Sequence, residues 1–101
     1  MISQQLENIL AKCCEEFEVT AEAVRSNSRR TELVYCRMAI VSIAKQMFDL
    51  TNSRIGQFIG RTQCDVRYLK ENQSNNKYYQ SSLKRIIKQI KEVNNMGVKE
   101  E

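Results

Sequence analysis

The side chains best suited to chemistry in this sequence are arginines, and they gather around glycines. RIGQFIGRTQCDVRYLK, from Arg54 to Lys70, holds three arginines, a lysine and two of the three glycines against a single acid, Asp65. Guanidinium groups stay charged and donate in a planar fork that matches phosphate or carboxylate, so this cluster suits an anionic ligand. Catalysis has little to stand on: the chain has no histidine and no convincing nucleophile–base pair, and a non-enzymatic protein is expected. Cys13, Cys14, Cys36 and Cys64 include no CxxC pair, and the adjacent Cys13 and Cys14 point in different directions on a helix, which argues against a metal site. No GxxxxGK[ST] phosphate loop is present, so neither nucleotide nor any other cofactor is expected. The thiols fit the reduced state of a cytoplasmic protein.

Charge is polarised along the chain. Residues 1 to 24 carry one lysine against Glu7, Glu15, Glu16, Glu18 and Glu22, whereas residues 25 to 76 carry nine Lys/Arg against Glu32, Asp49, Asp65 and Glu71. The net charge is +4 over 101 residues. A basic middle of this kind suits a polyanion, because each neutralised phosphate releases counterions. The length fits one domain, and a hydrophobic fraction of 42% is enough for a core without disulfides. No apolar run approaches a membrane span, and ISQQLENIL lacks the charged start and long apolar centre of a signal peptide.

Helices must position the arginines, since proline is absent and the apolar spacing has helical period. Ile2, Leu6, Ile9, Leu10, Cys13 and Phe17 form one stripe of a first helix. Thr20 is placed to cap a short second one, VTAEAV. RSNSRR, Arg25 to Arg30, has no apolar content and is expected to be an exposed basic loop. A long central helix follows from Thr31, read as its N-cap, with Val34, Met38, Val41, Ala44 and Phe48 on one face, widened by Leu33, Ile40 and Met47. Arg37 points off that stripe, so its guanidinium is expected to reach outward. DLTNS breaks the helix. Thr51 or Asn52 caps the next, whose buried face is Ile55, Phe58 and Ile59 and which Gly60 ends in the left-handed conformation. Thr62 and Asp65 have the spacing of a capping box, and Val66 and Leu69 anchor the helix they open. After a polar linker, Tyr79, Leu83, Ile86, Ile87, Ile90 and Val93 stripe a last helix covered by Lys84, Arg85, Lys88 and Lys91. The expected division is one helical domain over 1–94 and a frayed tail over 95–101.

Two short helices around a glycine turn make a helix-turn-helix. In such a motif the second helix enters the DNA major groove by its N-terminal end, where backbone N–H groups favour phosphate and first-turn side chains reach base edges. On that reading Arg61 meets backbone phosphate, Gln63 hydrogen-bonds a base such as adenine, Thr62 or Cys64 touches a thymine methyl, and Arg67 reaches a base or the groove wall. Arg29, Arg30 and Arg54 lie on phosphates.

From Cys14 to about Leu69 the order of features resembles the C-terminal DNA-binding domain of the bacterial replication initiator DnaA, an all-α, Trp-repressor-like fold. The basic loop SNSRR, the helix segment CRMAIVSIAKQM from Cys36 to Met47, the pair Ile55 and Gly56, the signature Gly60 and Arg61, and Val66 carry the resemblance. It implies that Arg37 enters the minor groove, that Arg29 and Arg30 meet the backbone, and that the signature loop reads the major groove. The family has Asp, His and two Thr where Thr62, Gln63, Cys64 and Asp65 stand, one more glycine before the arginine, and a proline at the position of Cys36. The groove-binding architecture is thus implied with altered base-reading residues.

Double-stranded DNA is therefore the expected partner, without a membrane, for a stand-alone replication-initiator-like or regulatory protein, or for a detached domain. A homo-oligomer or a replication or regulatory protein is a further possible partner. The alternative is a helical protein-interaction module in which the helix-turn-helix is scaffold and the last helix is the docking or dimer surface.

Overall fold

The computed structural model describes the backbone of residues 2–99 and the side chains of residues 4–92. Among the described residues every regular element is a helix: α1 (Ile2–Phe17), α2 (Ala21–Val24), α3 (Thr31–Phe48), α4 (Asn52–Ile59), α5 (Gln63–Glu71) and α6 (Lys77–Lys99). The expected all-α architecture is what the chain adopts.

Helix α3 is the hub. It touches all five other helices, α1 and α6 pair with each other beside it, and α4 and α5 pack as a second pair. Its apolar residues Leu33, Cys36, Ala39, Ile40, Val41, Ile43 and Ala44 are almost fully buried. They lie nearly all round the helix, because neighbours cover it on several sides. Leu6, Ile9, Leu10, Cys13 and Phe17 bring the α1 stripe to this core, and Tyr79, Leu83, Ile86 and Ile90 bring the α6 stripe. Burying each such large side chain stabilises the fold by roughly 1.5–3 kcal/mol. Ile2 and Val93, expected on these stripes, have side chains outside the described residues. So do the side chains of the expected 95–101 tail, although helical backbone continues to Lys99, past the expected boundary at 94.

Local chemistry sets the breaks. Thr20 Oγ1 accepts from the Ala23 N–H at 3.1 Å and Thr51 Oγ1 from the Arg54 N–H at 3.2 Å, each satisfying an orphan donor at a helix start. Helix α3 differs from expectation: Thr31 is its first helical residue, and Arg30 stands at the cap without a side-chain cap bond. Gly60 closes α4 at φ 71°, a left-handed conformation that suits a residue without Cβ. Gly56 serves a different purpose, since a Cβ there would lie 2.5 Å from the Arg61 carbonyl oxygen. The α4–α5 turn folds that tightly onto α4.

Gln73 ties the second pair to the rest: its Nε2 donates to the Leu69 carbonyl at 2.8 Å and to the Met38 carbonyl at 3.2 Å. Its Oε1 accepts from the Tyr79 hydroxyl. Helix α5 is thereby fixed to both α3 and α6 by a few polar contacts behind its buried Val66.

Candidate nucleic-acid interface

The N-terminus of α5 is open to solvent. Thr62, Gln63, Cys64 and Asp65 are all exposed, while Val66, one residue on, is fully buried. The expected capping box is present: the Asp65 N–H donates to Thr62 Oγ1 at 3.1 Å and the Thr62 N–H to Asp65 Oδ2 at 3.4 Å. Those bonds commit Thr62 and Asp65 to each other. Gln63 and Cys64 are left as the first-turn side chains available to a ligand.

Beside this turn runs an open groove of about 760 Å³, with Asn27, Arg29, Val34 and Arg37 on one side and Gln57, Gly60, Arg61, Thr62, Asp65 and Tyr68 among the residues on the other. The groove brings together the basic loop and the start of α5, which stand more than thirty residues apart in sequence. Of the expected site residues it unites Arg29, Arg37, Arg61 and Thr62. Arg30, Arg54, Gln63 and Arg67 are exposed but are not part of its lining. Arg30 stands 3.9 Å from Glu32, a long ion pair between two exposed side chains.

Arg37 overturns an expectation. Its side chain does not reach outward: the residue is only 4% exposed. Nε donates to the Val24 carbonyl at 2.8 Å, Nη1 to Ser28 at 2.8 Å, and Nη2 to Ala23 at 3.2 Å and Ser26 at 3.0 Å. Sequence spacing placed Arg37 off the apolar stripe correctly, but the 23–28 segment folds back over that side of α3 and takes up the guanidinium. The guanidinium is thus engaged with the backbone of the 23–28 segment at the edge of the groove. Burial, and then the Arg61 guanidinium nearby, push Arg37 below the ordinary arginine value, yet a group with so high a starting pKa stays charged.

Arg61 is half-buried. One Nη donates to the Gly60 carbonyl at 3.2 Å and the other to the Ser26 carbonyl, so part of its fork is used inside the protein. Arg67 stands exposed on α5, near Tyr68, which is 65% exposed.

Two residues at this surface went unread in the sequence. Tyr68 lines the groove with its ring in solvent; its position off the Val66 and Leu69 face was the available signal. Arg25 lies within the loop read as merely exposed, yet its Nε donates to the Phe58 carbonyl at 2.8 Å and its Cζ sits 4.9 Å from the Phe58 ring centroid. Nothing local announces a bond across 33 residues.

Three of the four cysteines are withdrawn from solvent. Cys13 and Cys36 are buried and Cys14 is half-buried, all at the α1–α3 contact. The neighbouring Cys36 thiol, and then burial, push the Cys14 thiol upward; the neighbouring Cys13 thiol, and then burial, push Cys36 upward against a lowering effect of Cys14, so these two remain protonated at neutral pH. Among the described residues no group of three Cys, Asp or Glu side chains is placed to hold a metal ion. No described helix is long and apolar enough to cross a membrane.

Comparison with known proteins shows the family. The family described as the bacterial DnaA protein helix-turn-helix matches residues 6–69. The chromosomal replication initiator protein DnaA of Bacteroides thetaiotaomicron is 36% identical over 55 residues, covering 54% of this chain and 12% of that protein. The proteins of the same name from Bacteroides fragilis and Gloeobacter violaceus are 33% identical over 55 residues and 37% identical over 54, again covering 12% of each relative. The chain thus matches only a small part of the length of these curated relatives.

Proposed function

Because the chain belongs to the bacterial DnaA protein helix-turn-helix family, we propose that it binds double-stranded DNA, with the leading turn of α5 in the major groove and the basic loop on the flanking phosphates. The observation that carries this reading is the exposed first turn of α5 standing across one groove from Arg29. The capping box uses the N–H groups of Thr62 and Asp65, which leaves those of Gln63 and Cys64 to meet a phosphate at the positive end of the helix dipole.

Gln63 and Cys64 then face base edges, Arg67 a base or the groove wall, and Arg29, Arg30 and Arg54 the backbone. Arg61 contributes the part of its fork that the protein does not use. Tyr68 adds a contact to sugar or base from the α5 side of the groove. Binding entails no catalytic step. The reading extends to a replication-initiator-like or regulatory role in the cytoplasm, where chromosomal DNA lies, and to assembly with a second copy or a replication protein.

Fluorescence anisotropy with a labelled duplex tests the proposal. The log of affinity should fall by about 0.9 per log unit of salt for each phosphate neutralised. Selection from a random duplex pool then separates sequence reading from backbone binding. Absence of duplex binding at low salt would remove the proposal in favour of a protein-interaction module. One observation favours that second reading: Lys84, Lys88 and Lys91 are exposed at helical spacing on α6, forming a basic stripe away from the helix-turn-helix.

A further inference from the structure

Helices α1 and α6 each carry a charged row that the fold leaves uncovered. On α6, Lys84, Lys88 and Lys91 stand exposed beside the half-buried Ile87, and together with Glu92 they line an open groove of about 450 Å³. On α1, Leu6, Ile9, Leu10, Cys13 and Phe17 turn one side to the core, which leaves Glu7, Ala11 and Glu15 as an exposed row on the other. Among the described residues none of these lysines and glutamates takes part in an ion pair. The two rows also turn away from the seam between α1 and α6. Arg85 marks the flank of α6 that faces α1, where it holds Glu16 at 2.6 Å. With 3.6 residues per turn, Lys84, Ile87 and Lys91 lie about 100–160° round the helix axis from Arg85, and Glu7, Ala11 and Glu15 about 100–180° from Glu16. Each row therefore points out of the molecule.

The rows match in sign, spacing and shape. Lys84 and Lys91 are separated by about 10 Å along the axis of α6, and Glu7 and Glu15 by about 12 Å along that of α1. Ile87 stands between the two lysines as Ala11 stands between the two glutamates, so a branched aliphatic side chain meets a small one when the charges pair. The remaining charges fix the direction. With Ile87 on Ala11, a parallel arrangement brings Lys88 to Lys12 and Glu92 to Glu16, like against like. The antiparallel arrangement brings Lys84 to Glu15 and Lys91 to Glu7, and it also sets the helix dipoles against each other favourably.

We infer that the partner of the lysine row is a second copy of this chain, docked antiparallel by its α1, with Lys84 on Glu15, Lys91 on Glu7 and Ile87 over Ala11. The contact is heterologous, since a row of one kind meets a row of the other. Each docked copy keeps one row free, and copies add head to tail. A single contact of one helix ridge on another belongs to the small, transient class, so association is weak in dilute solution. It strengthens where copies are held side by side at a raised effective concentration. The inference goes beyond the DNA-binding reading and does not rest on it.

A charge swap tests it, read by sedimentation velocity on protein freed of nucleic acid. The mean mass of the wild-type protein should rise with concentration at low salt and return to that of a monomer at about 1 M salt, where the screening length falls to about 3 Å. The double variants Lys84→Glu/Lys91→Glu and Glu7→Lys/Glu15→Lys alter exposed side chains only, so helical circular dichroism should be retained. Each alone should remain monomeric at concentrations about tenfold above those at which the wild type associates, because like charges now meet. An equimolar mixture of the two should associate as the wild type does, since every pairing between them is again of opposite sign. Zero-length carbodiimide coupling of a mixture of isotope-labelled and unlabelled wild-type protein should give mixed-isotope peptides that join Lys84 to Glu15 and Lys91 to Glu7. A wild-type protein monomeric at every concentration at low salt would overturn the inference. So would variants that associate unchanged, or a mixture that fails to restore association. If the wild type stays monomeric and Lys84→Glu/Lys91→Glu instead lowers the salt slope of duplex binding, the lysine row is a second phosphate surface and the inference is equally lost. Self-association is read without DNA, so its failure leaves the DNA-binding reading standing, and failure of duplex binding leaves this test intact.

Discussion

Replacing Gly56 by alanine probes the α4–α5 turn at its tightest point. A Cβ at this position would lie 2.5 Å from the Arg61 carbonyl oxygen, 3.3 Å from the Arg61 carbonyl carbon and 3.4 Å from that of Thr62. An ordinary carbon–oxygen contact is about 3.3–3.6 Å, so the Arg61 carbonyl must retreat by about 1 Å. All the nearest atoms are backbone, so no side-chain rotation relieves the contact. The retreat carries Thr62, the cap of α5, with it and stretches the 2.8 Å hydrogen bond from the Arg61 N–H to the Gly56 carbonyl. Alanine gains about 1 kcal/mol over glycine inside a helix. Against this stand about 1–3 kcal/mol for forcing an atom into a packed site and about 1 kcal/mol for a weakened turn hydrogen bond. The net expectation is destabilisation by about 1–3 kcal/mol, which for a domain of this size lowers the thermal midpoint by about 4–8 °C per kcal/mol. Duplex affinity should fall too, because the displaced element is the start of α5. Gly60 provides the contrast: its φ is 71° and a Cβ there would meet nothing nearer than 3.7 Å. Its substitution is therefore opposed by backbone conformation alone, at about 1–2 kcal/mol for alanine and less for asparagine. At position 56 the order reverses, asparagine being worse than alanine. Thermal unfolding followed by circular dichroism decides the matter, and a Gly56→Ala protein as stable as wild type, or more so, would refute the steric argument.

Other consequences are open to measurement. Thr62→Ala removes one half of the capping box and should destabilise by about 1 kcal/mol, seen as a lower denaturation midpoint with unchanged m-value. Arg85 donates to Glu16 Oε2 from Nη2 at 2.6 Å and from Nε at 3.1 Å, and this hydrogen bonding holds the Glu16 carboxyl below the usual glutamate value despite an opposing effect of burial. A carboxyl depressed in the folded state contributes stability that is present above its unfolded pKa of about 4.3 and is lost as pH falls through the folded value. The gap in thermal midpoint between wild type and Glu16→Gln should therefore be present at neutral pH and close in strong acid; a gap that persists undiminished there would contradict the assignment. Glu18 ends α1 at φ 58°, a left-handed conformation unfavourable for a residue with a Cβ. Glu18→Gly should raise stability by about 0.5–1 kcal/mol, and a lower midpoint would show that the Glu18 side chain contributes more than its backbone costs.

Much of the fold was legible because its determinants are local. The α1 and α6 stripes follow from a period of 3.6 residues, and Leu6, Ile9, Leu10, Cys13 and Phe17 are all buried as that period requires. The Thr62–Asp65 box, the Thr20 and Thr51 caps and the left-handed Gly60 follow equally from a few neighbouring residues. Thr31 opens α3 where the sequence leads one to expect its cap, because a threonine before an apolar run carries the same signal whether it precedes the helix or opens it.

The sequence by itself determined which residues form helices, where the glycine turn falls and how the positive charge gathers around it. Tertiary structure alone decided which arginines stand in solvent and which bond to the chain's own carbonyls. Periodicity reports the side of α3 from which Arg37 departs, but the carbonyls that capture its guanidinium belong to residues 9 to 14 positions upstream, brought there only when the segment after α2 packs back over the core. The same holds for Arg25 and Arg61, whose partners lie 33 and 35 residues away. A long, flexible cation binds whichever acceptors folding brings within its reach, and that is a property of the packed chain that no local pattern encodes.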